Sequence, residues 1–139
     1  MVSPAEKELV RQLHDFLNEK DIIINIPSIQ NIGAGQRTSI EKQLSSLEYK
    51  YRCDHIDIED CSVTFPTVRH FWIGSVEGMT LVGSNEYVAS FANYVFEHVL
   101  DLHKAARVIH RVLRSSGIFV ASLPNTIALG FLLAKRTPL

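Results

Sequence analysis

Five short apolar runs, at residues 28–32, 49–53, 68–73, 87–92 and 118–123, alternate with segments whose apolar residues recur at helical spacing. No other feature restricts the fold as much, because strands separated by helical patterns read as crossover units of a mainly parallel sheet with helices on both faces. Residues 87–92, Tyr-Val-Ala-Ser-Phe-Ala, are nearly all apolar, as a strand buried on both sides requires. Pro27 interrupts the Ile-rich stretch 21–32, and a central strand rejects proline, so the first strand is placed at 28–32.

The helical segments carry their own start signals. Ser3-Pro4-Ala5-Glu6 reads as a capping box with proline at the first helical position, and Leu9, Leu13, Phe16 and Leu17 then repeat on one face, predicting a helix over 4–19. Thr38-Ser39-Ile40-Glu41 is a second capping box, with Ile40, Leu44 and Leu47 behind it, predicting a helix over about 39–47. Asp101 caps a third, with Leu102, Ala105, Ala106, Ile109 and Leu113 facing inward and Gly117 as its stop. The region 55–67 is polar and its structure ambiguous.

Composition removes several classes. Fourteen Lys+Arg stand against fifteen Asp+Glu, so no basic excess marks a nucleic-acid binder. No apolar run reaches the roughly 18–20 residues that span a bilayer, so no membrane contact is expected. The charged, periodic first residues are not a secretory signal. Cys53 and Cys61 read as two reduced thiols, and a cytoplasmic location is expected. Cys53, Cys61, His55 and His70 lack zinc-finger spacing, and the acidic 54–60 stretch reads as a solvated turn, so no metal site is expected.

Ligands of open α/β sheets bind at the carboxyl ends of the strands. Four segments converge there. Asn31-Ile32-Gly33-Ala34-Gly35 permits a tight turn and close approach to a ligand. Asp54, at the predicted end of the second strand, lies 21 residues beyond Gly33, near the spacing at which an acid meets a ribose diol. Gly74-Ser75-Val76-Glu77 follows the third strand. Ala92 closes the fourth, and Asn93-Tyr94-Val95-Phe96-Glu97-His98-Val99 follows it. His98 reads either as a general base or as a structural residue closing the turn; the latter is the expected role.

These blocks, together with Ile109-His110-Arg111-Val112-Leu113 and Gly117-Ile118-Phe119-Val120-Ala121-Ser122-Leu123-Pro124-Asn125, resemble class I S-adenosylmethionine-dependent methyltransferases of the type 11-like kind. The order and spacing agree over residues 28–125, and the Glu-His-Val block followed by Arg-Val-Leu is the most specific part. The resemblance implies a Rossmann-like domain and S-adenosylmethionine as cofactor. It implies that Asn31, Gly33, Ala34 and Gly35 face the methionine part, that Asp54 takes the ribose hydroxyls, that Ser75 and Val76 border the adenine, and that Ala92 and Asn93 lie under the sulfonium. A small-molecule acceptor is expected, with His98 as a weak catalytic candidate.

The sequence also departs from the pattern. Asn31 stands where the family usually has an acid, Arg37 where it often has a third glycine, and Ser75 where an acid is usual. Val88 replaces a frequent acid, and Ser115-Ser116 a frequent Pro-Gly. The expected architecture is therefore one domain over 1–139: a helix in 1–20, a cofactor core over 28–125 with about five strands, and an apolar tail at 126–139 in place of the usual final strand pair. A chain this short is expected to be a fragment of a longer enzyme or a small dimer formed through the open sheet edge or the tail. The alternative to an active enzyme is a non-catalytic module that keeps the fold and acts as a scaffold. The stripe Lys104, Arg107, Arg111 and Arg114 reads as a solvated helix face.

Overall fold

A computed structural model describes residues 2–19, 26–48, 50–123 and 130–134. The elements run α1 (Pro4–Glu19), β1 (Ser28–Ile32), α2 (Ser39–Ser46), β2 (Arg52–Asp57), β3 (Val68–Ile73), β4 (Tyr87–Asn93), α3 (Leu102–Val112), β5 (Leu113–Ser122) and β6 (Gly130–Ala134), with one 3-10 turn at Phe96–His98 between β4 and α3. The strands form one sheet in the order β3-β2-β1-β4-β5-β6. Every pairing from β3 through β5 is parallel, and β6 runs antiparallel to β5.

The caps explain two of the helices. Ser3 Oγ accepts the backbone N–H of Glu6 at 3.1 Å, and Asp101 Oδ1 accepts that of Lys104 at 3.0 Å. Thr38 makes no such bond. α1 and α2 cover one face of the sheet, where Leu9, Leu13, Ile40 and Leu44 meet Ile29, Phe91 and Val120. α3 covers the other, with Ala105, Ile109 and Val112 against Phe119 and Ala121; Val76, Met79 and Val82 from the β3–β4 link join them. Leu9 and Leu13 are wholly buried, each worth about 1.5–3 kcal/mol.

Three elements differ from the expectations above. β2 starts and ends later than 49–53, because its middle carries Asp54 and His55, polar residues buried with polar partners of their own. Gly117 is not a helix stop. α3 passes directly into β5, and Gly117 lies where the β4–β5 register shifts; a Cβ there would sit 3.0 Å from the Val88 carbonyl oxygen and 2.8 Å from that of Arg114. The tail contributes β6, so the edge of β5 is paired within the chain. Phe71 is 39% exposed on edge strand β3.

Candidate functional site

The sheet reverses its winding between β1 and β4, which pair with each other while their crossovers leave in opposite directions. The crevice beyond their carboxyl ends is the expected place for a ligand in such a sheet. A cavity of about 530 Å3 lies there, between Gly33 and Arg37 after β1, Ile56, Asp57 and Ile58 at the end of β2, Gly74 to Glu77 after β3, and Tyr94, Val95, His98, Val99 and Leu100 after β4. That volume is in the range of small-molecule sites.

The glycine turn is built by two positive-φ residues, Gly33 at +67° and Gly35 at +55°. The Gly33 N–H donates to the Ile56 carbonyl at 2.7 Å, and the Gly35 N–H donates to Asp57 Oδ2 at 2.8 Å. Asp57 Oδ1 accepts the Glu59 N–H at 3.3 Å. A carboxylate offers about four lone-pair sites, so Asp57 keeps acceptor capacity toward the cavity. Beside it Ile58 is 71% exposed, and across the mouth Leu100 is 95% exposed; both are large apolar residues open to a cavity occupant.

Asp54 is placed elsewhere. It lies mid-strand, three residues before the end of β2, and is not part of the cavity wall. Its carboxylate accepts two hydrogen bonds from the Arg69 guanidinium, both at 3.1 Å, and one from the Tyr87 hydroxyl at 2.7 Å. Burial, the Asp54 hydrogen bond and the nearby Asp54 charge push the Tyr87 phenol far above its ordinary range. The strand-end acid is Asp57. β2 ends four residues beyond the expected 53, so Asp57, 24 residues beyond Gly33, is the acid at the strand end and on the cavity wall, where Asp54 had been expected.

Of the other residues singled out, Gly33, Ser75 and Val76 line the cavity. Asn31, Ala34 and Asn93 line instead a neighbouring void of about 10 Å3, room for about one water. Asn31 donates its side-chain amide to Glu41 Oε1 at 2.9 Å, and Asn93 donates to Glu6 Oε1 at 2.9 Å while accepting from Ser122 Oγ at 2.5 Å. Ala92 is wholly buried in the core on the α3 side of the sheet. Gly35 supplies the bond to Asp57. His98, on the 3-10 turn, lines the mouth with its side chain 80% exposed, 3.5 Å from Glu97 Oε1.

One packing detail narrows the crevice. A Cβ built on Gly33 would fall 2.3 Å from Val95 Cγ2, so the Val95 side chain sits directly against the glycine turn. Tyr94, just before it, has a left-handed φ of +59°, and its hydroxyl pairs with Ser3 Oγ at 2.5 Å at the start of α1. Glu6 on the same helix accepts from Ser39 Oγ at 2.8 Å and from Gln43 at 3.3 Å. The first turn of α1 is thereby tied to both α2 and the β4 loop. Among the basic stripe, Arg111 is not a solvated face residue: it donates to the carbonyls of Val82 at 2.8 Å and Met79 at 2.9 Å, clamping the β3–β4 link.

A buried polar cluster lies beneath the glycine turn. Glu41 Oε1 receives Asn31, faces His55 Nε2 at 2.5 Å and Cys53 Sγ at 3.6 Å, and all three side chains are fully buried. Burial favours a neutral Glu41, but the hydrogen bonds from His55 and Asn31 outweigh it and hold the carboxyl below its ordinary range. Burial, and next the charge of Glu41, push the Cys53 thiol well up. Cys53 and Cys61 are both free thiols. No helix among the described residues is long and apolar enough to cross a membrane.

An open, doubly wound α/β sheet with a glycine turn, a strand-end acid and a cavity at its switch point defines a domain of Rossmann-like type. The model of the methyltransferase domain family matches residues 32–121, and the chain belongs to that family. No curated protein sequence matches it. Similar solved structures include the 1,6-didemethyltoxoflavin-N1-methyltransferase of Burkholderia thailandensis with bound 1,6-didemethyltoxoflavin and S-adenosylhomocysteine (TM-score 0.65, 19% identity, 96% of this chain and 61% of that one). The DszA carbon methyltransferase superposes with a TM-score of 0.72 at 16% identity, over 88% of this chain and 36% of that one. The [4+2]-cyclase SpnF superposes at 0.58 and 16% identity, over 79% and 43%. The chain spans between about a third and six-tenths of the length of these neighbours.

Proposed function

We propose that the cavity binds S-adenosylmethionine and that the chain is the cofactor-binding part of a methyltransferase acting on a small-molecule acceptor. The observation that carries this reading is the Asp57 carboxylate, fixed by the Gly35 N–H at the strand ends with the exposed Ile58 beside it. Asp57 would accept the two ribose hydroxyls, Ile58 and Val76 would flank the adenine, and Ser75 would offer its polar edge. When bound, the cofactor supplies the methyl group on a sulfonium. The protein's part is alignment: Val95, Val99 and Leu100 form an apolar wall at the mouth, and His98 stands where it would meet an acceptor.

The donor set at the methionine end is weaker. Asn31 is committed to Glu41, and Val95 occupies the space against Gly33, which supports as a second reading a binding module without turnover. Calorimetry with S-adenosylmethionine and S-adenosylhomocysteine tests the proposal. Saturable binding that is lost in Asp57→Ala is the expected result. Absence of heat with either compound at millimolar concentration overturns it.

A further inference from the structure

We propose that Glu41, Cys53 and His55 form a structural zinc site tying α2 to β2 beneath the glycine turn. Cys53 and His55 alternate along β2 and so point to the same face, toward α2. Glu41 meets them from the buried side of α2. The candidate ligand atoms of the three residues lie within 4.8 Å of one another, and none of the side chains reaches solvent.

The hydrogen bonds around the cluster call for a cation at its centre. His55 Nδ1 lies 3.3 Å from the Cys61 carbonyl oxygen, which can only accept, so Nδ1 carries the hydrogen. Such a bond is the usual partner of a metal-bound histidine, because it fixes the tautomer and turns the other nitrogen's lone pair toward the ion. Here that other nitrogen, Nε2, faces the carboxylate oxygen of Glu41 at 2.5 Å. At this separation the two atoms share a proton; a metal ion in the proton's place needs them further apart. A proton would satisfy Nε2 and Oε1 and no more. Glu41 Oε2 would stay buried without a hydrogen-bond partner, as it is in the structure, and the Cys53 thiol would make only long contacts, to Glu41 Oε1 at 3.6 Å and the Asp54 carbonyl at 3.8 Å.

A zinc ion uses all of these atoms. Sγ, Nε2 and the two carboxylate oxygens supply four donors of the mixed sulfur, nitrogen and oxygen kind that zinc accepts. Binding displaces two protons to solvent, the Cys53 thiol proton and the one shared by His55 Nε2 and Glu41 Oε1, so Zn2+ with one thiolate, one carboxylate and a neutral imidazole sums to zero charge, which a fully buried site needs. Metal–ligand bonds of about 2.0–2.3 Å require the Nε2–Oε1 separation to open to roughly 3.3 Å. Rotation of the two side chains on zinc binding would provide that. The site is independent of the cofactor cavity, so its test does not depend on methyl transfer.

The full chain is produced in zinc-containing medium, gel-filtered and analysed for bound metal, then stripped with chelator and titrated with Co2+. The expected result is stoichiometric zinc in the native protein, a lower melting temperature after stripping that zinc restores, and cobalt spectra with ligand-field bands of a four-coordinate ion and a thiolate charge-transfer band. Cys53→Ser removes that charge-transfer band, and Cys61→Ser keeps it. Metal-free protein that is folded by circular dichroism and gives no cobalt band overturns the proposal and leaves a proton-shared His–Glu pair. A thiolate band that survives in Cys53→Ser overturns the ligand assignment.

Discussion

The Asp57 carboxylate accepts the backbone N–H of Gly35 at 2.8 Å, so the end of β2 and the turn after β1 are held as one unit. The buried Asp54, three residues earlier, is bound to Arg69 and Tyr87 on the interior of the same strand. The two acids therefore have separable roles. Asp57→Ala is expected to weaken S-adenosylhomocysteine binding at least tenfold, about 1.4 kcal/mol, with a smaller loss of stability than Asp54→Asn because Asp57 is at the edge of the cavity. Asp54→Asn is expected to do the reverse, lowering stability by about 1–3 kcal/mol and leaving affinity within twofold. Calorimetric titration and denaturant unfolding of both variants separate the two effects.

Val95 rests on Gly33, and on the proposed cofactor reading it takes space at the methionine end. Val95→Ala is expected to tighten cofactor binding several-fold. Gly33→Ala is expected to destabilise through two causes, collision with Val95 and the φ of +67°, where a side chain costs about 1–2 kcal/mol. In the double variant the collision is relieved and only the backbone penalty remains. A double-mutant cycle on unfolding free energy measures this, and additive single effects would sink the contact.

Glu6 is a buried carboxylate on α1 that accepts from Ser39, Gln43 and Asn93. Glu6→Ala removes the acceptor and strands these donors. A loss of about 1.5–3 kcal/mol is expected, with protease cleavage of α1 appearing before global unfolding. Equal protection of α1 in the variant and the parent would contradict the latch.

Two phenols should titrate late. Burial pushes Tyr51 up to about 12, and burial with the Asp54 hydrogen bond pushes Tyr87 further still. Because their folded values lie above the unfolded one near 10, they stabilise the fold fully below pH ~10, and that contribution is lost as pH rises from about 10 through 12. Ultraviolet difference titration is expected to show phenolate appearing in separate steps, the late ones coinciding with unfolding. Tyr87→Phe should abolish the last step, and a single step near 10 for all tyrosines would refute the assignment.

Much of the architecture was legible in the residues. The alternation of apolar runs and helical patterns carries the parallel sheet and its two helical faces, and β3 falls on the predicted residues 68–73. The family blocks are visible for the same reason: each is a local segment with its own chain geometry. The carboxyl end of β2 was not visible. Asp54 and His55 look like a strand's end in the sequence, yet they are interior because Arg69, Tyr87 and Glu41 arrive from distant segments to satisfy them.

The same division holds throughout the molecule. Apolar periodicity and the caps at Ser3 and Asp101, which act between neighbours in the chain, were legible in the sequence alone, whereas the Thr38 cap bond and the Gly117 helix stop did not form. Which acid faces the cavity, that Val95 closes on Gly33, and that Glu41, Cys53 and His55 share one buried pocket were decided by packing, because the groups concerned meet only after the sheet has brought β1, β2, β4 and α2 together.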